Sequence, residues 1–225
     1  MRNKEIRGIL FDFDFTLADS TQGVVRCVNY ALKKIGFDEF TEKEINKTIG
    51  LPLEQTFIKL VGEQHIDYIE KFKHFFIKKA DEIMANFTLL FNETPKVIEK
   101  LYSNGFKLGI VSTKFRYRIE SILRREKLLD HFEVIVGGED VASLKPNPMG
   151  LLLAVQKLDL TSSEVIYIGD SIIDAETANK ADIAFIAVLS GVTPRIAFNK
   201  YQVLVFLNNI SELPLLLSIQ GEIKI

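Results

Sequence analysis

Gly8–Ser20 reads GILFDFDFTLADS, and the rest of the chain is organised around it. Ile9, Leu10 and Phe11 run together without alternation, as strands covered on both faces of a parallel sheet do. Asp12 and Asp14 then interrupt the run. Residues two apart on a strand point to the same side, so a strand persisting that far sets two carboxylates side by side where an apolar strand ends. Like charges in such a place raise each other's pKa and cost free energy, unless a cation or hydrogen-bond donors compensate. Capping the next helix is the blander use of an Asp here, but Asp19, Ser20 and Thr21 are better placed for that.

After Ser20 the period becomes helical. Val24, Val25, Val28, Ala31 and Leu32 share one face of a helix ending near Gly36. Thr41 with Glu44 has capping-box spacing ahead of a short helix that stops near Gly50. Pro52 suits the first residue of the next helix, PLEQTFIKL, and Gly62 ends it. Ile66, Ile69, Phe72, Phe76, Ala80, Ile83 and Phe87 step by three or four, which predicts a long helix over about His65–Phe87. No strand is expected between Phe15 and Leu90. A crossover between parallel strands takes ~12 residues. Leu17–Leu89 is far longer, and reads as an all-helical cap inserted after the first strand. Its lysines Lys71, Lys73, Lys78 and Lys79 read as a solvated helix face.

From Asn92 the rhythm is βα. Apolar strands FKLGIVS, FEVIVGG, EVIYIGD, IAFIAVL and a peripheral YQVLVFL alternate with helices around Thr94–Gly105, Ile119–Leu123, Met149–Leu158 and Ala175–Ala181. That alternation predicts an α/β fold, a doubly wound, mostly parallel sheet with helices on both faces. The catalytic core is then residues 1–16 and 90–225, and the cap residues 17–89.

In such sheets ligands bind beyond the carboxyl ends of the strands. The polar residues collect there: Asp12 and Asp14, then Ser112 and Thr113, then Asp170, Ser171 and Asp174. Asp170 makes a third carboxylate at one edge, and a hard divalent ion such as Mg2+ answers that repulsion. Asp174 reads equally as an acid stabilised at a helix N-terminus. Lys145 lies in SLKPNP, where Pro146 and Pro148 stiffen the loop and bias Lys145 away from helix. Of Lys114, Arg116 and Arg118, one could bind a substrate anion, and helix-face solvation is expected of at least two. His65, His74 and His131 lack metal-ligand spacing.

DFDFTLADS resembles the first motif, DxDGTL, of the haloacid dehalogenase-like hydrolases. Ser112 at a strand end, Lys145, and GDSIID (Gly169–Asp174) resemble that superfamily's other three motifs in the correct order. The resemblance implies a Rossmann-like core and a Mg2+-dependent phosphatase acting on a small phosphorylated metabolite. It makes Asp12 the nucleophile and Asp14 the general acid/base, whose backbone carbonyl also meets Mg2+. Asp12 and Asp170 become direct metal ligands, supported by Asp174. Ser112 binds a phosphoryl oxygen, with Thr113 second, Lys145 offsets charge, and Lys114 is a substrate-anion candidate. The phosphoglycolate-phosphatase-like branch carries a helical cap in this place, and the loop at Gly50 matches one that contributes to substrate choice. Phe15 stands where Gly is usual. Either the turn is ordinary here or Phe15 bears strain, and its ring could crowd the pocket.

A dehalogenase would need neither Mg2+ nor the Asp14 and Asp170/Asp174 set. A phosphomutase, or a phosphate-accepting signalling module without turnover, stays open beside the phosphatase. The formal charge of −2 argues against a general nucleic-acid binder. No apolar run approaches the ~20 residues of a membrane span. MRNKEIRG lacks an apolar signal region, and Cys27 as the single cysteine precludes an intrachain disulfide, so a cytoplasmic location is expected. Oligomeric state is not written in the pattern.

Overall fold

The computed structural model describes residues 5–218. The outer ends of the expected core, residues 1–4 and 219–225, lie outside them.

The chain opens with β1 (Gly8–Phe11), buried along its whole length. A two-residue strand, β2 (Ala18–Asp19), leads into helices α1 (Thr21–Lys34), α2 (Glu42–Asn46), α3 (Leu53–Val61) and α4 (Ile69–Ile83), and β3 (Leu89–Leu90) closes that segment. The βα series follows: α5 (Thr94–Ser103), β4 (Lys107–Val111), α6 (Arg116–Arg125), β5 (Val134–Val136), α7 (Met149–Lys157), β6 (Val165–Gly169), α8 (Ile172–Ala181), β7 (Ala184–Val188), β8 (Val205–Leu207) and α9 (Leu213–Ser218). Strands β5-β4-β1-β6-β7-β8 form one sheet in that spatial order, every pair parallel. The doubly wound sheet and the helical cap are as the pattern predicts, with β8 at an edge.

Alternation along β1 distributes its side chains. Ile9 and Phe11 enter the apolar layer beneath α5 and α6, with Ile98, Leu101, Ile119 and Ile122. Leu10 enters the opposite layer, with Leu151 and Ala154 of α7 and Ala175 and Ala178 of α8. Each fully buried residue of this size contributes roughly 1.5–3 kcal/mol by leaving water. A third cluster, with Val28, Phe57, Phe72 and Phe76, lies within the helical segment. Cys27 belongs to it, and burial pushes its thiol up to about 12, so it is an inert core residue.

The local signals of the helical segment mostly hold. Thr41 and Glu44 form a reciprocal capping box. Pro52 is the residue before α3 rather than its first, and Gly62 ends that helix at φ 105°. The helix expected over His65–Phe87 is shorter. Glu63–Tyr68 is a 3-10 turn with His65 at φ −114° and ψ 20°, and α4 spans only Ile69–Ile83. The ring of Phe37 sets edge-on against His65 and Tyr68, at 5.0 and 5.3 Å, and holds that turn in place.

A strand pair also stands where none was expected. Ala18 pairs with Leu90 and Asp19 with Leu89, antiparallel, at the base of the helical segment. Two residues cannot show a period, so this pairing leaves no pattern in the sequence. Among the described residues no helix is long and apolar enough to cross a membrane.

Candidate active site

β1 stops at Phe11, and Asp12 makes one more ladder bond, from its N–H to Ile168 O at 2.8 Å. A turn, not strand alternation, then brings Asp14 beside it. Leu17 N–H bonds to Phe13 O at 2.9 Å and Phe15 N–H to Ala18 O at 2.7 Å. Phe15 sits at φ 61°, so the turn is the left-handed one that Gly usually serves. A residue with a Cβ pays roughly 1–2 kcal/mol there. Ser190 Oγ donates to Phe15 O at 2.5 Å and helps hold the strained peptide. The Phe15 ring is buried and does not line the cavity beside Asp14, so it does not crowd it.

Asp12 is 2% exposed. Lys145 Nζ donates to Asp12 Oδ1 at 2.8 Å, to Asp174 Oδ1 at 2.6 Å and to the Tyr167 hydroxyl at 3.0 Å. Those three bonds exhaust the ammonium's donors. Burial raises Asp12 to about 6, against the pull of Lys145 and with a further push from Asp174 and Asp14. Burial alone would lower Lys145, but Asp12 and Asp174 outweigh it and keep the ammonium charged.

Asp174 also caps its own helix. Its Oδ2 accepts from Ser171 N–H at 3.1 Å and Ser171 Oγ at 2.6 Å, at the start of α8. Asp174 thus stands at the helix start and also contacts Lys145. Tyr167 was read as plain strand; its fully buried hydroxyl lies 2.9 Å from Asp174 Oδ1 and 3.0 Å from Val111 O, and its one proton serves either. The signal available was a lone hydroxyl inside an otherwise apolar strand, VIYIG.

Asp170 follows β6, and burial, then Asp174 and Asp12, push its carboxyl well above the usual range. It makes no ion pair among the described residues. Ligand oxygens of Asp12, Asp170 and Asp174 lie within 4.8 Å of one another. A buried carboxylate without an ion pair, beside two others, is a hard-oxygen donor set that fits a divalent cation such as Mg2+. A Cβ on Gly191 would overlap the Asp170 carboxylate, so the loop after β7 needs glycine to pass this close.

On the other side, Lys114 Nζ lies 2.9 Å from Asp14 Oδ1, both side chains almost fully buried. Ser112 Oγ accepts from Lys114 N–H at 3.3 Å. Thr113 Oγ1 donates to Gly50 O at 3.2 Å, which ties the helical segment to the sheet edge. Gly50 holds φ 90°. Asp14, Gly50, Thr113 and Lys114 share the wall of a cavity of about 220 Å³.

Helix-face solvation fails for the cations after Ser112. Lys114 and Arg118 are buried. Arg118 donates to Asp81 of α4 at 2.6 and 3.1 Å and to Ile77 O at 3.2 Å, joining α6 to the helical segment. Arg116 is partly exposed and binds Asp140 at 3.0 Å and Glu120 at 3.0 Å. Asp81, four residues beyond Ile77 on α4, carried no pattern that marked it.

A buried aspartate is thus held by a lysine at the carboxyl edge of a doubly wound sheet, with a helical segment inserted after its first strand. Residues 9–188 match the haloacid dehalogenase-like hydrolase family, and the chain belongs to it. It is 30% identical over 196 residues to a phosphoglycolate phosphatase of Yersinia pseudotuberculosis, covering 84% of this chain and 83% of that one. It is 27% identical over 218 residues to the pyrophosphatase PpaX of Bacillus mycoides, covering 96% and 100%. A solved structure described as a haloacid dehalogenase-like hydrolase from Bacteroides fragilis superposes with TM-score 0.89 at 41% identity, covering 93% and 100%. These relatives agree with the phosphoglycolate-phosphatase-like branch, whose helical cap this chain shares.

Proposed function

We propose that the chain is a Mg2+-dependent phosphatase that hydrolyses a small phosphate monoester through an aspartyl-phosphate, in the manner of the phosphoglycolate-phosphatase-like branch. The observation that carries this reading is the buried Asp12 oxygen held 2.8 Å from Lys145, with Asp170 beside it and Asp14 facing the cavity.

An Asp12 oxygen attacks phosphorus in line and displaces the ester oxygen. Asp14 gives its proton to the departing alkoxide. Water then attacks the aspartyl-phosphate, Asp14 takes its proton, phosphate leaves and Asp12 is restored. Ser112 and Lys145 offset charge on the transferring phosphoryl oxygens. Asp12, Asp170 and the Asp14 carbonyl would hold Mg2+, with Asp174 in support, and the ion supplies further charge to the phosphoryl group. Tyr167 and Asp174 position Lys145. Thr113, Lys114 and Gly50 shape the entrance for the leaving group.

The chain divides in this reading into a core of residues 1–16 and 90–225 and a cap of residues 17–89. The separate apolar cluster of the helices and the Arg118–Asp81 and Thr113–Gly50 contacts support a unit that closes over the core. A near-balanced charge supports a small metabolite over nucleic acid as partner. The test is phosphate release from a panel of small phosphate esters with Mg2+ and with EDTA, beside Asp12→Asn. Mg2+-dependent release that Asp12→Asn abolishes is expected. Release that persists in Asp12→Asn overturns the mechanism, and isomerisation without release assigns a mutase instead.

A further inference from the structure

The Lys145 ammonium has no donor to spare. Its N–H groups go to Asp12 Oδ1 at 2.8 Å, to Asp174 Oδ1 at 2.6 Å and to the Tyr167 hydroxyl at 3.0 Å. An ammonium offers three donors and no more. In the phosphatase reading Lys145 offsets charge on the phosphoryl oxygens, so one of these bonds is given up when an ester or phosphate binds. Asp12 is still a free carboxylate in both of those complexes, because it carries the phosphoryl group only in the intermediate.

The three bonds are not equally easy to release. Two go to carboxylates almost sealed from water, with side chains 3% and 0% exposed. Releasing either leaves a buried charge without its cation, which is the costly half of a broken pair. The third acceptor is a neutral hydroxyl. Burial, then Asp174 and Asp12, push Tyr167 well above its usual range and keep its proton in place. That proton has partners of its own, Asp174 Oδ1 at 2.9 Å and Val111 O at 3.0 Å. Losing Lys145 therefore costs Tyr167 one accepted bond and orphans neither a charge nor a donor.

The sheet explains how a residue of β6 comes to stand there. Tyr167 lies beside Leu10 in the β1–β6 ladder, and its side chain shares an apolar layer with Leu10, Val111 and Leu151. A Cβ on Gly169 would overlap Asp174, so glycine lets that carboxylate lie against the strand end. The hydroxyl thus spans from β6 across β1 to the end of β4, one residue before Ser112.

We propose that the Tyr167 hydroxyl is a placeholder, which occupies the third N–H of Lys145 in the empty site and yields it to a phosphoryl oxygen on binding. Tyr167 is then a positioning residue, and it sets how tightly the site takes phosphate. The proposal rests on the phosphatase reading and adds to it the exchange that frees a donor. Each binding event loses the Lys145–Tyr167 bond. Removing the hydroxyl removes that loss, so the variant binds phosphate more tightly. A residue that only braced Lys145 would leave phosphate affinity unchanged or weaken it.

The experiment compares wild type with Tyr167→Phe in Mg2+, using acetyl phosphate and small phosphate esters as substrates and inorganic phosphate as competitive inhibitor. Phe keeps the ring in its apolar layer, and folding is checked by circular dichroism. The Ki of phosphate is expected to fall about threefold or more, the net worth of one hydrogen bond, and KM to fall with it. kcat is expected to change less, because the exchange precedes the chemical step. A phosphate Ki that is unchanged or raised, whatever the Tm, overturns this inference and leaves the phosphatase reading standing. Should Tyr167→Phe not fold, wild type labelled with 13C at tyrosine Cζ reads the same exchange. Tyr167 is the one fully buried tyrosine among the described residues, so its resonance is the one a soluble paramagnetic agent leaves sharp. That resonance is expected to shift on saturation with phosphate, and a resonance that stays in place overturns the inference. Wild type that releases phosphate from none of the substrates overturns the phosphatase reading and this inference with it.

Discussion

Lys145 and Asp174 form a buried ion pair of 2.6 Å in which the side chains are 5% and 0% exposed. Breaking a pair of this kind by removing one charge costs about 3–5 kcal/mol, because the other charge stays buried. Asp174→Asn is expected to lower Tm markedly and to reduce kcat, since the ammonium loses one of its two carboxylates. Its Mg2+ requirement should move less than that of Asp170→Ala. Thermal melts and Mg2+ titrations of both variants check this. A Tm equal to wild type would show that the pair does not brace the site.

Asp170 is the carboxylate without an ion pair, so its replacement has two opposite signatures. Asp170→Ala should need far more Mg2+ for half-maximal activity, through loss of a ligand. In EDTA the same variant should melt higher than wild type, because a buried charge that burial already disfavours is gone. Unchanged metal dependence would take Asp170 away from the ion.

The pH response of Asp12 has a definite sign. Its carboxyl is raised from 3.8 to about 6, so between those values the folded protein binds the proton that the unfolded chain has released. Stability from this group is present below about pH 4 and is lost as pH rises through about 6, by roughly 3 kcal/mol over the window. Asp12→Asn does not titrate. In EDTA the stability of Asp12→Asn relative to wild type should therefore rise from pH 4 to pH 7, whatever its absolute offset. Added Mg2+ should flatten that slope in wild type. Chemical denaturation across pH measures it, and a slope of the opposite sign defeats the assignment.

Gly50 concerns substrate choice. It stands at φ 90° in open space, where a Cβ would meet nothing within 4 Å. The effect of Gly50→Leu must then come through the backbone, at roughly 1–2 kcal/mol of strain, and through the Thr113–Gly50 bond. A large loss of kcat/KM is expected for the preferred ester and a smaller one for acetyl phosphate. Equal proportional losses would remove selection from this loop.

The fold was largely legible because its signals are repetitive. Unbroken apolar runs and their alternation with helical periods announce a parallel sheet, and Thr41–Glu44 or Gly62 punctuate the helices by known chemistry. The pairing of Ala18–Asp19 with Leu89–Leu90 was invisible, since it is made by contact across the chain and not by periodicity. The same holds at the site. Motif spacing marks Asp12, Lys145 and Asp170, but it cannot show that Tyr167 reaches Lys145 or that Arg118 is buried against Asp81. Charge next to a helix start suggested solvent, and tertiary packing overrode it. Phe15 posed a choice that only the backbone could answer, at φ 61°.

The β2–β3 pairing has a topological consequence. The chain leaves the sheet domain and returns to it at neighbouring points, Ala18 beside Leu90. Adjacent antiparallel strands can be joined by a two-residue turn. The helices are thus grafted onto the core rather than threaded through it, on a stem that is already closed in space. The strand order does not depend on how long that excursion is or what fills it, and the contacts of Thr113 with Gly50 and of Arg118 with Asp81 are what seat it on the sheet edge. Selectivity and chemistry can then be inherited separately, one changing while the other stays fixed.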